Sequence, residues 1–255
     1  MDLGLTDRRI LLTGASRGLG AGIARALAAE GARLALAARE SADLTGLAGE
    51  TGGIAVPADL STPSGPGDAV KRAVEALGGL DGLLVNSGGP PPGTFRELDE
   101  DAWRRAIDGT LQSTLRLIRA AVSHLESGRD PAILVILSSS VREPIPGLVT
   151  SNVLRPGLSG LIKSLVGEIA PIRINGVAPG RFDTERVRDL DRRRAESSGT
   201  SIESVQAATI DRIPLGRYGA AAEMGRVGAF LLSPAASYID GVILPVDGGM
   251  LRSLP

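Results

Sequence analysis

The stretch Thr13-Gly14-Ala15-Ser16-Arg17-Gly18-Leu19-Gly20 decides the fold, because it joins a predicted strand at residues 10–13 to a predicted helix at residues 19–30. Its three glycines allow a tight turn and let the backbone approach an anion closely, and the start of the helix supplies free N–H donors. The loop is therefore predicted to hold the pyrophosphate of a dinucleotide. The predicted contacts are Gly14, Ser16, Arg17, Gly18, Leu19 and Gly20.

Strands and helices alternate along the rest of the chain. Further strands are predicted at residues 32–38, 54–58, 80–86, 132–137, 172–178 and 242–246, and helices at residues 69–77, 101–125 and 158–169. This alternation, with no linker to divide it, predicts one α/β domain over residues 1–255. The expected fold is a doubly wound Rossmann domain, with a parallel sheet of about seven strands and helices on both faces.

Residues 181–219 break the alternation of strands and helices. The segment is long and strongly charged, so we expect a solvent-exposed helical insertion in which most of the arginines are solvated. Its place after a strand end also predicts a lid-like insertion over a site at the carboxyl edge of the sheet.

The composition excludes several classes of protein. Lys plus Arg number 28 against 29 Asp plus Glu, so no basic field is available to hold nucleic acid or an anionic membrane. There is no cysteine and one histidine, His124, so we expect no metal site. The longest aliphatic run, residues 133–137, is too short to span a membrane, and the N-terminus lacks the apolar core of a signal peptide. The predicted location is cytoplasmic.

The residue after the second predicted strand indicates which dinucleotide is bound. An acidic residue about 20 positions beyond the glycine loop binds the ribose 2′-hydroxyl of NAD. Here that position is Arg39. A cation at this place, together with Arg17, suits the 2′-phosphate of NADP through charge-assisted hydrogen bonds. The sequence favours NADP(H) as the cofactor, with NAD(H) as the alternative.

Motifs along nearly the whole chain resemble those of the short-chain dehydrogenase/reductase family. Residues 13–20 resemble its T-G-x-x-x-G-x-G loop, residues 86–89 its N-N-A-G segment, and residues 246–249 its closing V-D-G-G. The resemblance implies the Rossmann fold, a small carbonyl or alcohol substrate and assembly as a homotetramer or homodimer. It also implies cofactor contacts from Asp59, Leu60, Asn86, Gly88, Pro179, Gly180 and Thr184.

The catalytic positions of the family are kept only in part. The family uses an Asn on a long helix, a Ser after the fifth strand, a Tyr thirteen residues later and a Lys four beyond that. Alignment on residues 157–165 places Ser138, Ser151 and Arg155 at the Ser, Tyr and Lys positions, and counting from Trp103 places Thr110 at the Asn position. An aliphatic hydroxyl is far less acidic than a phenol, and an arginine stays charged. These positions therefore lack a side chain that can donate a proton near neutral pH.

Two further features bear on this alignment. A shift of one residue places Asn152 and Pro156 at the Tyr and Lys positions, but it misplaces residues 163–165. Pro156 also predicts a helix that starts near Arg155 or is kinked there, because proline removes a backbone hydrogen bond.

The sequence leaves two main functions open. The first is an NADP(H)-dependent oxidoreductase whose proton transfer is rebuilt from Ser138, Ser151, Arg155 and water. Its candidate substrates are ketones, keto-esters and 3-oxoacyl thioesters, and an inward-pointing Arg142 or lid arginine favours an anionic one. The second is an NADP(H)-binding sensor or partner subunit with little or no turnover.

A hydrolase that uses residues 14–18 as a G-x-S-x-G nucleophile elbow ranks behind both main functions. A hydrolase triad needs a histidine after the acid, and His124 lies inside a predicted helix.

Overall fold

One parallel sheet of seven strands organises the structure, a computed structural model that describes residues 2–253. The strands β1 to β7 are Arg9–Thr13, Arg33–Ala38, Ile54–Pro57, Gly82–Val85, Ala132–Ile136, Arg173–Pro179 and Ile243–Val246. Their spatial order is β3-β2-β1-β4-β5-β6-β7, and every neighbouring pair is parallel. The order reverses between β1 and β4, which is where open α/β sheets bind ligands. The predicted fold class is confirmed.

Helices cover both faces of the sheet. Within residues 2–253 the α-helices α1 to α9 are Gly18–Ala29, Ala42–Thr51, Gly65–Leu77, Glu100–Ala106, Ser113–Leu125, Val149–Glu168, Glu185–Ser198, Ile202–Ile210 and Ala221–Leu232. Helices α1, α2 and α9 share one apolar core with the sheet, and α3, α5 and α6 share the other. Alternate residues of β1 enter different cores, with Ile10 and Leu12 on one face and Leu11 on the other.

Helix α6 corrects the helix predicted at residues 158–169. It begins at Val149 and continues through Pro156 to Glu168. Pro156 lies on the exposed side of the helix, where water can replace the missing N–H donor. As a result, Ser151 and Arg155 lie one turn apart on the same face of a single helix.

The helix predicted at residues 101–125 is interrupted in the middle. Helix α4 gives way to a π-helix at Ile107–Gln112 before α5 begins. Thr114 donates its hydroxyl proton to the Thr110 carbonyl at 2.7 Å inside this segment. Hydroxyl bonds of this kind bend helices, and π turns are common at functional sites.

The predicted insertion at residues 181–219 folds into helices α7 and α8 and returns to its starting point. Gly219 N donates to Arg181 O at 2.9 Å, and Asp183 N donates to Gly219 O at 2.8 Å. The buried carboxylate of Asp191 accepts from the Arg181 guanidinium at 3.2 Å and from the Tyr218 hydroxyl at 2.9 Å. These contacts join the two ends of the segment. Among the helices that the structure describes, none has both the length and the apolar content to cross a membrane.

Candidate active site

The glycine loop lies at the carboxyl end of β1, next to the point where the strand order reverses. Gly14 and Gly18 have φ angles of +55° and +58°, which favour glycine. A Cβ on Gly14 would lie 2.2 Å from the Asn86 carbonyl oxygen. Helix α1 starts at Gly18, and its cap residue Arg17 makes no side-chain cap hydrogen bond. The free N–H groups and the close backbone path fit a dinucleotide pyrophosphate.

Asn86 holds the glycine loop in place. Its side-chain amide donates to Gly14 O at 3.0 Å, and its backbone N–H donates to the Thr13 hydroxyl at 2.9 Å. Thr13 in turn donates to Leu84 O at 3.0 Å and so links β1 to β4. A Cβ on Gly88 would meet no heavy atom within 4 Å, so this part of the loop borders open space. Sequence reasoning missed Thr13, which was quoted only as part of the loop motif.

The predicted adenosine-side residues lie at the ends of β2 and β3. Arg39 follows β2 and is exposed, and Asp59 is exposed beyond β3. The Ser61 hydroxyl and N–H, at 2.7 and 2.9 Å from the Asp59 carboxylate, lower its pKa, and the charge of Arg39 adds to the effect. Leu60 is half-buried. Arg39 therefore lies close enough to Asp59 for the two charges to interact.

The start of α7 lies across the glycine loop. Thr184 caps this helix, with its hydroxyl oxygen accepting from Val187 N at 3.4 Å. The Thr184 methyl group is 3.6 Å from the place of a Cβ on Gly18. Next to it, exposed Arg17 and Glu185 form an ion pair. Arg17, one of the two arginines predicted to bind the 2′-phosphate, thus links the loop to α7 in this structure.

The turn before α7 is packed against the end of β7. Pro179 ends β6, and Gly180 N donates to Val246 O at 3.0 Å. A Cβ on Gly180 would lie 2.6 Å from the Cβ of Asp247. Glycine at this position therefore allows the close approach that sets the path of the chain into α7.

Three serine side chains cluster at the end of β5. Ser138 Oγ accepts from Ser140 N at 3.1 Å, and Ser140 Oγ lies 3.0 Å from Ser151 Oγ. Ser140 and Ser151 are 4% and 5% exposed, so solvent has little access to this pair. Sequence reasoning chose Ser138 and Ser151 and missed Ser140, although the Ser138-Ser139-Ser140 run was a signal for it.

Arg155 is a buried cation beside this serine cluster. It is 5% exposed, and its guanidinium donates to the Ile136 carbonyl at the end of β5. Among residues 2–253 its Nε has no hydrogen-bond partner, and the same holds for the buried hydroxyl of Thr110. Burial lowers the pKa of Arg155 to about 10, and the charge of Arg186 contributes. The guanidinium is therefore cationic at neutral pH.

Arg186, near the start of α7, is exposed and contacts the loop that follows β4. It donates to Pro90 O at 2.8 Å, and a Cβ on Gly89 would lie 2.9 Å from its Nε. Sequence reasoning counted Arg186 only as one of several lid arginines. Arg142, the other candidate for an anionic substrate, is exposed.

Comparison with known proteins identifies the family. A family model described as enoyl-(acyl carrier protein) reductase matches residues 14–251. The chain belongs to the short-chain dehydrogenase/reductase family. It is similar to the 3-oxoacyl-acyl-carrier-protein reductase MabA of Mycobacterium avium, with 32% identity over 246 residues, 96% of this chain and 90% of that one. It is also similar to the oxidoreductase UcpA of Salmonella typhimurium, with 34% identity over 254 residues, 96% of this chain and 95% of that one.

A solved structure of this family shows the same fold over the full chain. It is the L-sorbose reductase of Gluconobacter frateurii complexed with NADPH and L-sorbose. The TM-score is 0.92 at 28% sequence identity, and the match covers 100% of both chains. The short-chain dehydrogenase/reductase fold therefore accounts for the whole sheet and for the position of the glycine loop.

Proposed function

We propose that the protein is an NADP(H)-dependent oxidoreductase that interconverts a carbonyl compound and its alcohol with a non-standard set of catalytic side chains. The observation that carries this proposal is the position of two features at one edge of the sheet. The glycine loop follows β1, and the cluster of Ser138, Ser140, Ser151 and Arg155 lies at the end of β5. Strand β4 alone separates β1 from β5. A dinucleotide on the loop therefore reaches the polar cluster.

The cofactor is NADP(H), and it supplies the hydride when bound. The glycine loop and the start of α1 bind its pyrophosphate, and Arg39 binds the 2′-phosphate. Arg17 also binds this phosphate, after exchanging its ion pair with Glu185. The NADPH bound in the L-sorbose reductase supports NADP(H) as the cofactor.

The serine cluster orients and polarises the substrate carbonyl. The hydroxyls of Ser138 and Ser151 donate hydrogen bonds to the carbonyl oxygen, and Ser140 fixes the direction of the Ser151 hydroxyl. The Arg155 cation stabilises the negative charge that develops on that oxygen. Because neither an aliphatic hydroxyl nor an arginine is an acid near neutral pH, the proton comes from water. We therefore expect slower turnover than with the family's tyrosine as the proton donor.

The contacts of Asn152 support the alignment used for these residues. Its side chain accepts from Ile145 N at 2.9 Å and donates to Ile145 O at 3.0 Å. These bonds hold Asn152 against the loop before α6, whereas Ser151 faces Ser140. The one-residue shift would place a backbone-bound amide and a proline in the catalytic positions, and neither can act there.

Oxidation of NADPH across ketones, keto-esters, oxo acids and 3-oxoacyl thioesters tests the proposal. We expect saturable oxidation with at least one substrate, and cofactor binding is measured in parallel by NADPH fluorescence. Tight binding without oxidation of any substrate would contradict the proposal.

The missing phenol favours a second candidate, a sensor or partner subunit that binds NADP(H) without turnover. The double variant Ser151→Tyr/Arg155→Lys separates the two. Turnover by the variant alone, with equal NADPH binding by both proteins, would favour the second candidate.

The proposed assembly is a homodimer or homotetramer. Val153 on α6 is 55% exposed, and Tyr238 beside β7 is fully exposed. We infer that these side chains lie in the subunit interface, in line with the assembly that the resemblance to the family implies. A monomer by light scattering would contradict this assembly.

A further inference from the structure

Two guanidinium groups near the proposed substrate cleft lack a carboxylate partner. Among residues 2–253, neither Arg155 nor Arg186 takes part in an ion pair, and each donates only to a backbone carbonyl. The nearest acidic neighbour that affects Arg186 is Asp189, which is bound to Arg192 at 2.9 Å. The two guanidiniums therefore carry positive charge that the described chain does not neutralise.

The two helices that carry these arginines both contact the loop that follows β4. Arg186 on α7 covers Gly89 and holds Pro90 O. On the other side, Thr150 on α6 donates its hydroxyl to Pro91 O at 2.9 Å, and Arg155 lies just over one turn further along α6. The loop is thus held between the helices that carry the two arginines. Gly88 in this loop, a predicted cofactor contact, borders open space.

The electrostatics of this region favour an anion. A buried charge is costly unless it is paired, and Arg155 is buried without a counter-charge. Burial and then the charge of Arg186 lower the pKa of Arg155, and the charge of Arg193 further lowers the pKa of Arg186 after burial. An anion that enters between Arg155 and Arg186 relieves this repulsion and accepts charge-assisted hydrogen bonds from both.

We propose that Arg155 and Arg186 bind a carboxylate of the substrate, so that the enzyme acts on oxo acids and the corresponding hydroxy acids. This inference rests on the proposed oxidoreductase function and narrows its substrate class. It disfavours uncharged keto-esters and ketones. In the proposed function the pyrophosphate of the cofactor lies on the glycine loop and the start of α1, so we assign the anion between the two arginines to the substrate.

Calorimetric titration of the full-length protein with its cofactor, NADP⁺, tests the carboxylate site without turnover. The probes are acetoacetate, levulinate and 2-oxoglutarate, each compared with its uncharged ester, which is the methyl ester for the first two and the dimethyl ester for 2-oxoglutarate. We expect at least one acid to bind about 10-fold tighter than its ester, as charge-assisted hydrogen bonds imply. If no acid binds, or if every ester binds as tightly as its acid, the inference is overturned.

Three variants locate the effect. Arg186→Gln is expected to remove the preference for the acid, and Arg186→Lys to restore part of it. Arg188→Gln is the matched control, because Arg188 lies on the same helix and is exposed like Arg186, but is paired with Asp183 at 2.8 Å. Equal losses in Arg186→Gln and Arg188→Gln would show a general charge effect and overturn the inference.

The outcomes separate this inference from the proposed function. If acids bind in a way that depends on Arg186 but are never reduced by NADPH, the anion site is supported and the proposed oxidoreductase function is contradicted. If esters are reduced and acids are not preferred, the proposed oxidoreductase function is supported and the anion site is contradicted.

Discussion

The hydroxyl of Ser140 lies 3.0 Å from the hydroxyl of Ser151, where the resemblance to the family places a tyrosine. Both side chains are buried, and Ser140 N also donates to Ser138 Oγ at 3.1 Å. The cluster thus has hydroxyl donors in fixed positions but no group with a pKa near neutrality. It can polarise a carbonyl, and it depends on water for the proton.

Ser151→Ala tests the catalytic role of this cluster. Loss of a hydrogen bond to the developing oxyanion is expected to lower kcat by roughly 10²-fold, with the Kd for NADPH unchanged. Steady-state kinetics and fluorescence titration measure the two quantities. Ser164→Ala is the control, because Ser164 lies on the same helix, is exposed and bonds only Gly160 O at 3.0 Å. A Ser151→Ala variant as active as Ser164→Ala would remove the serine cluster from the mechanism.

Arg155→Met tests whether the buried cation serves function rather than stability. Replacing an unpaired buried charge with an apolar side chain is often neutral or stabilising, although the bond to Ile136 O, worth about 1 kcal/mol, is lost. We expect an unchanged or higher Tm in calorimetry, together with a loss of turnover. A fall in Tm of about 5 °C or more would instead give Arg155 a structural role.

Arg39→Ala tests the choice of cofactor. Removing one charge-assisted hydrogen bond to the 2′-phosphate is expected to raise the KM for NADPH by about 10-fold or more and to leave the KM for NADH unchanged. Arg33→Ala is the matched control, since Arg33 is exposed at the opposite end of β2. Parallel losses with NADPH and NADH would show that Arg39 does not contact the 2′-phosphate.

Asp81 gives the chain a measurable pH dependence. Its carboxylate is fully buried and accepts from Arg9 Nη2 at 2.7 Å and from Arg129 N at 2.8 Å. Burial raises the pKa of Asp81, but these hydrogen bonds outweigh it and hold the pKa well below its usual value. Because the folded pKa is depressed, the stabilisation is complete above the unfolded pKa of about 3.9 and is lost as the pH falls below it.

Urea unfolding of Asp81→Asn at several pH values measures this contribution. At pH 7 the variant is expected to lose about 3–5 kcal/mol, because it leaves Arg9 without its carboxylate. Below pH 4 the difference from the native protein should shrink. Asp101→Asn, at an exposed ion pair with Arg104, should change the free energy of unfolding by less than about 1 kcal/mol. A difference for Asp81→Asn that stays constant down to pH 2 would contradict this account.

The sequence predicts the sheet well because each strand is a short apolar run bounded by turn residues. It predicts the glycine loop equally well, since the strand before it and the helix after it are both visible in the sequence. Helix α6 was predicted too short, because Pro156 reads as a helix start. Its exposure, which makes the proline tolerable inside the helix, depends on tertiary packing.

The proposed catalytic cluster was predicted only in part for a similar reason. Ser138, Ser151 and Arg155 follow from the alignment, whereas Ser140 and Arg186 enter the site only through the folded chain. The partner of Arg17 was equally hidden, because Glu185 is distant in sequence and meets it only when α7 crosses the glycine loop. The sequence of the predicted lid contains several arginines, and no spacing pattern distinguishes Arg186 from the others.

Transfer of deuterium from NADPH labelled at nicotinamide C4 tests the central claim most directly. The substrates are the carbonyl compounds and oxo acids described above, the label is tested on each face of the ring, and the product is analysed by mass spectrometry. We predict deuterium on the carbinol carbon of the product, from one face only, with the native protein. Saturable NADPH binding without label transfer to any product would show that the protein is not an oxidoreductase.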